Sequence, residues 1–442
     1  MSKVLLIADY YLDKKRIASN RTTGLLKYLS EYGWDVHLIT TPPHNNILNM
    51  VRGTSTAIFI KNDNIGDKNT QIDITIPNPN NVLDNCIITK YTQKISKNII
   101  TFIKSHHKLL KIANYIYCSL PNIYEYFWEK SVTHLGDSLC NIEAYDAILS
   151  TYGSAVPHIC ASKLSKKYNL PWVADYRDFW SQNSDVKRFI VTQYCYTHQE
   201  KKTLQNSMYL TTVSQPLADC LTSLHNKKVT VIHNGFDPDT INPGIKLRKK
   251  FTITYTGNVY SKEFRDPTLL FTAVSELLSE NYISSDDIQI DFYGHKSIWL
   301  EAEINAYNLS NIVFQHGLVS KEDAISYQRS SQILFVLLWS GDKAEGVLTG
   351  KLFEYLGAKR PILATGGNYL EVDAILKKTN TGVALNTLDS LKSQIKSWYD
   401  EYKLHGSVLY QGVEEEIDKY SYHEMARLMS TVLNDAINKN IQ

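Results

Sequence analysis

The sequence predicts an α/β fold made of two doubly wound, Rossmann-like halves that face a cleft. Three observations predict it. The chain opens β-α-β, with an apolar run at 4–8, helical spacing through Leu25, Leu26, Tyr28 and Leu29, and a second apolar run at 34–40. That order implies parallel strands joined by right-handed crossovers. A turn-rich stretch, Asn234-Gly235-Phe236-Asp237-Pro238 through Asn242-Pro243-Gly244, then breaks the pattern as an interdomain linker does. A second β-α series begins at Phe251, and 442 residues exceed what one compact core accommodates.

The individual elements follow from periodicity. In the first half, further strands are expected at 147–150, 171–175, 210–214 and 229–233, with helical spacing at 157–167. In the second half, strands are expected at 251–255, 288–293, 312–315, 333–337 and 361–364, with a helix at 267–280. A last helix, 422–438, is placed to pack back toward the first half. The expected domains are 1–240 and 249–415, followed by a returning segment, 416–442.

The first half also carries an insertion, 50–130. Its 52–84 stretch is polar and Asn-rich, suiting loops with short strands. Across 94–117 a helical wheel gathers Ile95, Ile99, Phe102, Ile103, Leu109, Leu110, Ala113, Ile116 and Tyr117 on one face. Lys94, Lys97, Lys104, Lys108 and Lys111 share the other. Two readings stay open: a basic amphipathic helix on an anionic membrane surface, or a surface helix packed on the sheet with solvated lysines.

Composition narrows the function. The chain is 43% hydrophobic and 21% charged with a net charge of +2, so no polyelectrolyte signal for nucleic acid exists. No stretch approaches the ~20 apolar residues that span a bilayer. The run at 1–8 is too short for a signal peptide and reads as a first strand, with Asp9 ending it. Six scattered cysteines without a CxxC pair argue against zinc and a disulfide framework, and for a reducing cytosol. The expected location is cytoplasmic, with peripheral contact at the inner membrane face on the first reading of the insertion helix.

The most informative segment is 345–365, where a Gly-containing turn feeds a short amphipathic helix and then an apolar strand. Thr349 fits the N-cap, which puts Lys351 in the first turn, where the macrodipole disfavours a cation. A lysine there makes sense if an anion shares the helix start, held by backbone N–H groups. Glu354 lies one turn on, within reach of sugar hydroxyls. Phosphate donors and a carboxylate on one element suit a nucleotide sugar.

Five segments in order resemble glycosyltransferase family 4, the retaining GT-B enzymes of bacterial polysaccharide and lipopolysaccharide assembly. They are Ala18-Ser19-Asn20-Arg21-Thr22-Thr23-Gly24; Pro171-Trp172-Val173-Ala174-Asp175-Tyr176-Arg177-Asp178-Phe179-Trp180; Val231-Ile232-His233-Asn234-Gly235-Phe236-Asp237; Tyr255-Thr256-Gly257-Asn258; and 345–365. One departure is that the family's E-x7-E becomes Glu345 with eight residues before Glu354.

The resemblance implies transfer of a hexose-type sugar from a nucleoside diphosphate to a lipid-linked or polysaccharide acceptor. It implies that Glu354 accepts both ribose hydroxyls, and that Lys351 with Arg265 or Lys262 neutralises the diphosphate. Gly257 and Asn258 open the donor domain, while Gly294, His295, Leu318 and Val319 match its base-binding edges. Backbone N–H groups of Gly346, Val347, Leu348 and Thr349 face phosphate or sugar on this reading, against a plain turn on the other. Glu345 is assigned to donor-sugar hydroxyls. On the acceptor side stand Asn20, Arg21, Gly24, Ser154, His158 and Arg177, with Asp178 as an acid at a strand end. A structural Asp175–Arg177–Asp178 network is the alternative for the last group, and a structural role for His158. No DxD-like pair stands out and no His/Cys cluster appears, so a metal-independent, front-face reaction without cofactor is expected. Two other readings are a nucleotide-sugar 2-epimerase and a non-catalytic nucleotide-sugar-binding protein.

Overall fold

A computed structural model describes residues 1–9, 18–40, 58–61, 123–183, 188–240, 245–339, 348–367 and 369–441, with backbone alone at 18, 58–61, 123–127 and 441. The helix expected at 94–117 and the residues Glu345, Gly346 and Val347 lie outside them. The chain divides into two compact units, Met1–Ile232 with Ala426–Gln442, and His233–Met425.

The first unit holds β1 (Ser2–Ala8), β2 (Trp34–Thr40), β3 (Ile58–Lys61), β4 (Ala147–Thr151), β5 (Trp172–Tyr176), β6 (Tyr209–Thr212) and β7 (Val229–Val231). Its helices are α1 (Ala18–Tyr28), α2 (Ile123–Ile142), α3 (Val156–Tyr168), α4 (Ile190–Leu204) and α5 (Gln215–His225). The sheet runs β3-β2-β1-β4-β5-β6-β7, parallel except for β3, which pairs antiparallel with β2. Strands β4 and β5 are buried along their whole length, as helices on both faces of a parallel sheet require.

Burial on both faces makes the one carboxylate in β5 costly. Asp175 is fully buried, and Arg21 from α1 grips it twice, Nε to Oδ2 and Nη2 to Oδ1, both at 2.8 Å. Thr211 donates a further bond at 2.7 Å. Burial pushes the Asp175 carboxyl up, but the Arg21 charge and these hydrogen bonds outweigh it and hold the group below the usual carboxylate range.

The second unit holds β8 (Phe251–Thr256), β9 (Ile288–Tyr293), β10 (Val313–Gly317), β11 (Ile333–Leu337), β12 (Ile362–Thr365) and β13 (Gly382–Ala384). Its helices are α6 (Thr268–Ser279), α7 (Ile298–Ala306), α8 (Lys321–Ser330), α9 (Gly350–Ala358), α10 (Leu370–Thr379), α11 (Leu388–His405) and α12 (Glu414–Asp418). The sheet runs β10-β9-β8-β11-β12-β13, each neighbouring pair parallel. Strand β8 shows how alternation serves two faces. Phe251, Ile253 and Tyr255 enter the large apolar core with α6 and α11. The hydroxyls of Thr252, Thr254 and Thr256 on the other face meet Gln332 N–H at 3.0 Å, Ser331 at 2.6 Å and Gln328 at 2.8 Å.

Helix α13 (Tyr422–Ile441) follows, and its residues from Ala426 onward belong to the first unit. There Ser430 accepts a hydrogen bond from the Trp34 indole at 3.0 Å. Among the described residues no helix is long and apolar enough to cross a membrane.

Candidate functional site

In the second sheet the strand order turns at β8 and β11, and ligands in such sheets sit outside the carboxyl ends at that switch. The strand ends there are stitched by backbone. Gly257 N–H donates to Tyr293 O at 2.7 Å, and Gly294 N–H to Gly317 O at 3.0 Å. The Asn258 side chain accepts from His295 N–H at 3.0 Å. A Cβ on Gly294 would lie 2.0 Å from the Gly257 carbonyl oxygen, so only glycine fits that approach. His295 and Leu318 are exposed beside this seam, and Val319 is half-buried.

Helix α9 begins on the same side. Thr349 caps it, its hydroxyl accepting from Lys351 N–H at 3.4 Å. Leu352, Phe353, Tyr355 and Leu356 are buried, with the Leu348 side chain in the same core, which leaves Lys351 and Glu354 half-buried on the open face. The Tyr355 hydroxyl accepts from Thr256 N–H at 2.8 Å, tying the helix to the end of β8. Below, a Cβ on Gly357 would strike the Phe236 ring at 2.7 Å, so the turn-rich segment docks on the helix at a glycine.

Lys351 Nζ and Glu354 Oε2 are 2.7 Å apart. Arg265 is 9% exposed, and its Nη1 donates to the Tyr255 hydroxyl at 2.7 Å and to Asn258 O at 3.4 Å. Its guanidinium lies 5.7 Å from the Tyr260 ring centre and 5.2 Å from that of Trp339. No carboxylate pairs with it among the described residues, and its Nε is buried without a hydrogen bond. Burial pushes the Tyr255 phenol up, while the Arg265 charge and hydrogen bond, and more weakly the Lys351 charge, pull it down. Arg265 is thus a buried cation with only neutral partners among the described residues, an arrangement that costs the fold free energy.

Other expected site residues fall elsewhere. Lys262 does not join Arg265. It is exposed and pairs with Glu303 at 2.8 Å, because the turn that bonds Arg265 N–H to Ser261 O at 2.9 Å tucks residue 265 inward and leaves 262 outside. Arg21 is no surface ligand group either: it is 3% exposed, and besides Asp175 it donates to Ile232 O at 2.9 Å. Of the alternative Asp175–Arg177–Asp178 network, Asp175 has Arg21 as its hydrogen-bonded partner, while both acids still act electrostatically on Arg177. Arg177 donates to Tyr152 O at 2.8 Å and feels Asp9.

His158 is fully buried, with Nδ1 2.7 Å from the Ser150 hydroxyl and its ring packed against Tyr176. Burial drives its pKa down to about 3. Contact with donor sugar or acceptor is thereby replaced by a core role. Gly24 is buried within α1, whereas Asn20 and Ser154 are half-buried and Asp178 is exposed. Among the described residues no group of His, Cys, Asp and Glu is arranged to hold a metal ion.

Two groups here escaped sequence reasoning as site residues, Tyr255 and Trp339. The available signals were a tyrosine next to the end of β8, two residues before Gly257, and a Trp two residues past β11.

No protein-family model and no curated protein matches the chain. Solved structures do. Sucrose-phosphate synthase from Thermosynechococcus elongatus aligns with TM-score 0.61 at 11% identity over 99% of this chain and 100% of that one. A glycosyltransferase from Rickettsia africae aligns with TM-score 0.59 at 13% identity over 99% and 98%. Anabaena HepE in complex with UDP aligns with TM-score 0.52 at 12% identity over 69% and 82%. These likenesses establish the expected fold class, α/β with two Rossmann-like domains of GT-B type.

Proposed function

We propose that this chain is a retaining glycosyltransferase, similar to family 4. It transfers a hexose-type sugar from a nucleoside diphosphate to a lipid-linked or polysaccharide acceptor. The observation that carries the reading is the buried Arg265 guanidinium, without a carboxylate among the described residues and bonded to the Tyr255 hydroxyl. Three structural neighbours, a sucrose-phosphate synthase, a glycosyltransferase and a protein in complex with UDP, support the same class.

Donor binding exchanges one ion pair for two contacts. Lys351 leaves Glu354 for the diphosphate, and Glu354 becomes free to accept the ribose hydroxyls. Arg265 and Lys351 gain most as the glycosidic bond breaks and charge builds on the leaving phosphate, so they act in the transition state. The phosphate oxygen takes the proton of the acceptor hydroxyl while that hydroxyl bonds the anomeric carbon on the same face. Charge neutralisation thus rests on side chains. The strand-end edges at His295, Leu318 and Val319 carry the base, Glu345 the sugar, and Asp178 the acceptor side. On the membrane reading, the 94–117 helix brings the chain to a lipid-linked acceptor.

The test is incubation with a panel of nucleoside-diphosphate sugars and extracted lipid or glycan acceptors, with product anomers read by NMR. A product keeping the donor's anomeric configuration supports the proposal. A sugar altered without any acceptor would point to the epimerase instead.

A further inference from the structure

We infer that Arg329 and Arg360 form a second anion site, at the amino-terminal edge of the second sheet, which takes a phosphate group. The residues precede adjacent parallel strands, Arg329 at the last turn of α8 before β11 and Arg360 just before β12. They are therefore at the opposite strand ends from Arg265 and Lys351.

The cluster has donors and lacks an acceptor. Arg329 is 6% exposed, and its Nη1 is buried without a hydrogen bond. Arg360 spends Nε on the Arg329 carbonyl, at 2.8 Å, which fixes the two residues side by side. Beside Arg360, the Tyr410 hydroxyl is likewise buried and unbonded. Glu414, the acid that acts electrostatically on Tyr410, is bonded to Lys359 at 2.6 Å. Among the described residues no carboxylate pairs with either arginine. Burial holds both guanidinium groups below the usual arginine range, and at Arg360 the like charge of Arg329 adds to it.

Two other arginines among the described residues show what is missing. Asp175 answers Arg21, and Asp291 answers Arg248. Two arginines tied together through the Arg329 carbonyl, and without such a partner, suit the several oxygens of a phosphate, which a guanidinium binds bidentately. Half-buried Arg360 gives the cluster its open side. The α8 carboxyl-terminal dipole offsets part of the charge at Arg329, but it supplies no acceptor to Nη1.

The experiment is calorimetric titration of inorganic phosphate, at constant ionic strength in chloride, into the full chain and its variants. Because phosphate also suits the donor side, the titration is repeated in Arg265→Gln. Saturable binding that survives Arg265→Gln and weakens about tenfold or more in Arg360→Gln and Arg329→Gln supports the site. If Arg329→Gln fails to fold, the more exposed Arg360→Gln decides. In chloride alone, Arg360→Gln should melt no lower than the parent, because it relieves like-charge repulsion; a plain helix-capping role would lower it. Vesicles containing phosphatidic acid that displace phosphate identify a headgroup as the source, and vesicles without effect identify a soluble phosphate. Absence of binding in Arg265→Gln, or undiminished binding in Arg360→Gln, overturns the inference.

Discussion

Arg21 and Arg265 are the same side chain in nearly the same burial, 3% and 9% exposed, yet they do opposite things. In the first unit Arg21 meets Asp175 in a two-pronged pair and is used up. In the second unit Arg265 meets a phenol, a carbonyl and two aromatic faces, all neutral. A buried charge with its counter-charge is a structural part. On the proposed function, one without it is kept for a ligand, and its cost to the fold is the preorganisation that a binding site requires.

The comparison breaks most readily at Arg21. Arg21→Ala leaves a buried unpaired carboxylate and should destabilise the chain by about 3–5 kcal/mol in urea denaturation. A loss below about 1 kcal/mol would remove the structural half of the contrast. Arg265→Gln should do the reverse, slowing turnover by about 10²–10³-fold while the denaturation midpoint holds or rises. Equal losses of stability in both variants would make the two arginines alike.

Glu354→Ala sharpens the ligand half. It should weaken nucleoside-diphosphate binding by about 1–3 kcal/mol and erase discrimination against a 2′-deoxynucleotide. Discrimination retained in the variant removes Glu354 from the ribose. Acid tests the structural half again through His158. Its folded pKa, about 3, lies below the 6.5 of the unfolded chain, so the unfolded state gains a proton first as pH falls. Stability is then lost from pH 6.5 downward, by about 1.4 kcal/mol per unit. Asp175 adds its own loss lower, as pH falls out of the ordinary carboxylate range through its depressed folded value. A flat denaturation free energy between pH 7 and 5 contradicts the buried neutral histidine. Least affected should be Lys262→Ala, at about 0–1 kcal/mol with unchanged turnover, since its partner Glu303 is a surface acid.

Much of the fold was legible because apolar strands in parallel sheets announce themselves. Residues 333–337 and 288–293 were bounded from sequence as they stand in the structure. Gly382–Ala384 was missed, being three residues long and opening on a glycine. The Thr349 cap and the Lys351/Glu354 face were also readable, since a helix start is local chemistry. What was not readable is distance and depth. Asp175 and Arg21 are 154 positions apart, so no spacing could pair them, and a neighbour inside the same motif was offered instead. Lys262 and Arg265 differ only in which way one turn directs them. His158 reads as a loop-end ligand until its aromatic surroundings are known.

The central claim is that Arg265 holds a pyrophosphate. Calorimetric titration of UDP, GDP, ADP and CDP into the parent chain and Arg265→Gln tests it most directly. The account predicts that at least one binds the parent and that its affinity falls tenfold or more, about 1.4 kcal/mol, in the variant. Binding of equal strength in both proteins, or of none of the four to the parent, would contradict it.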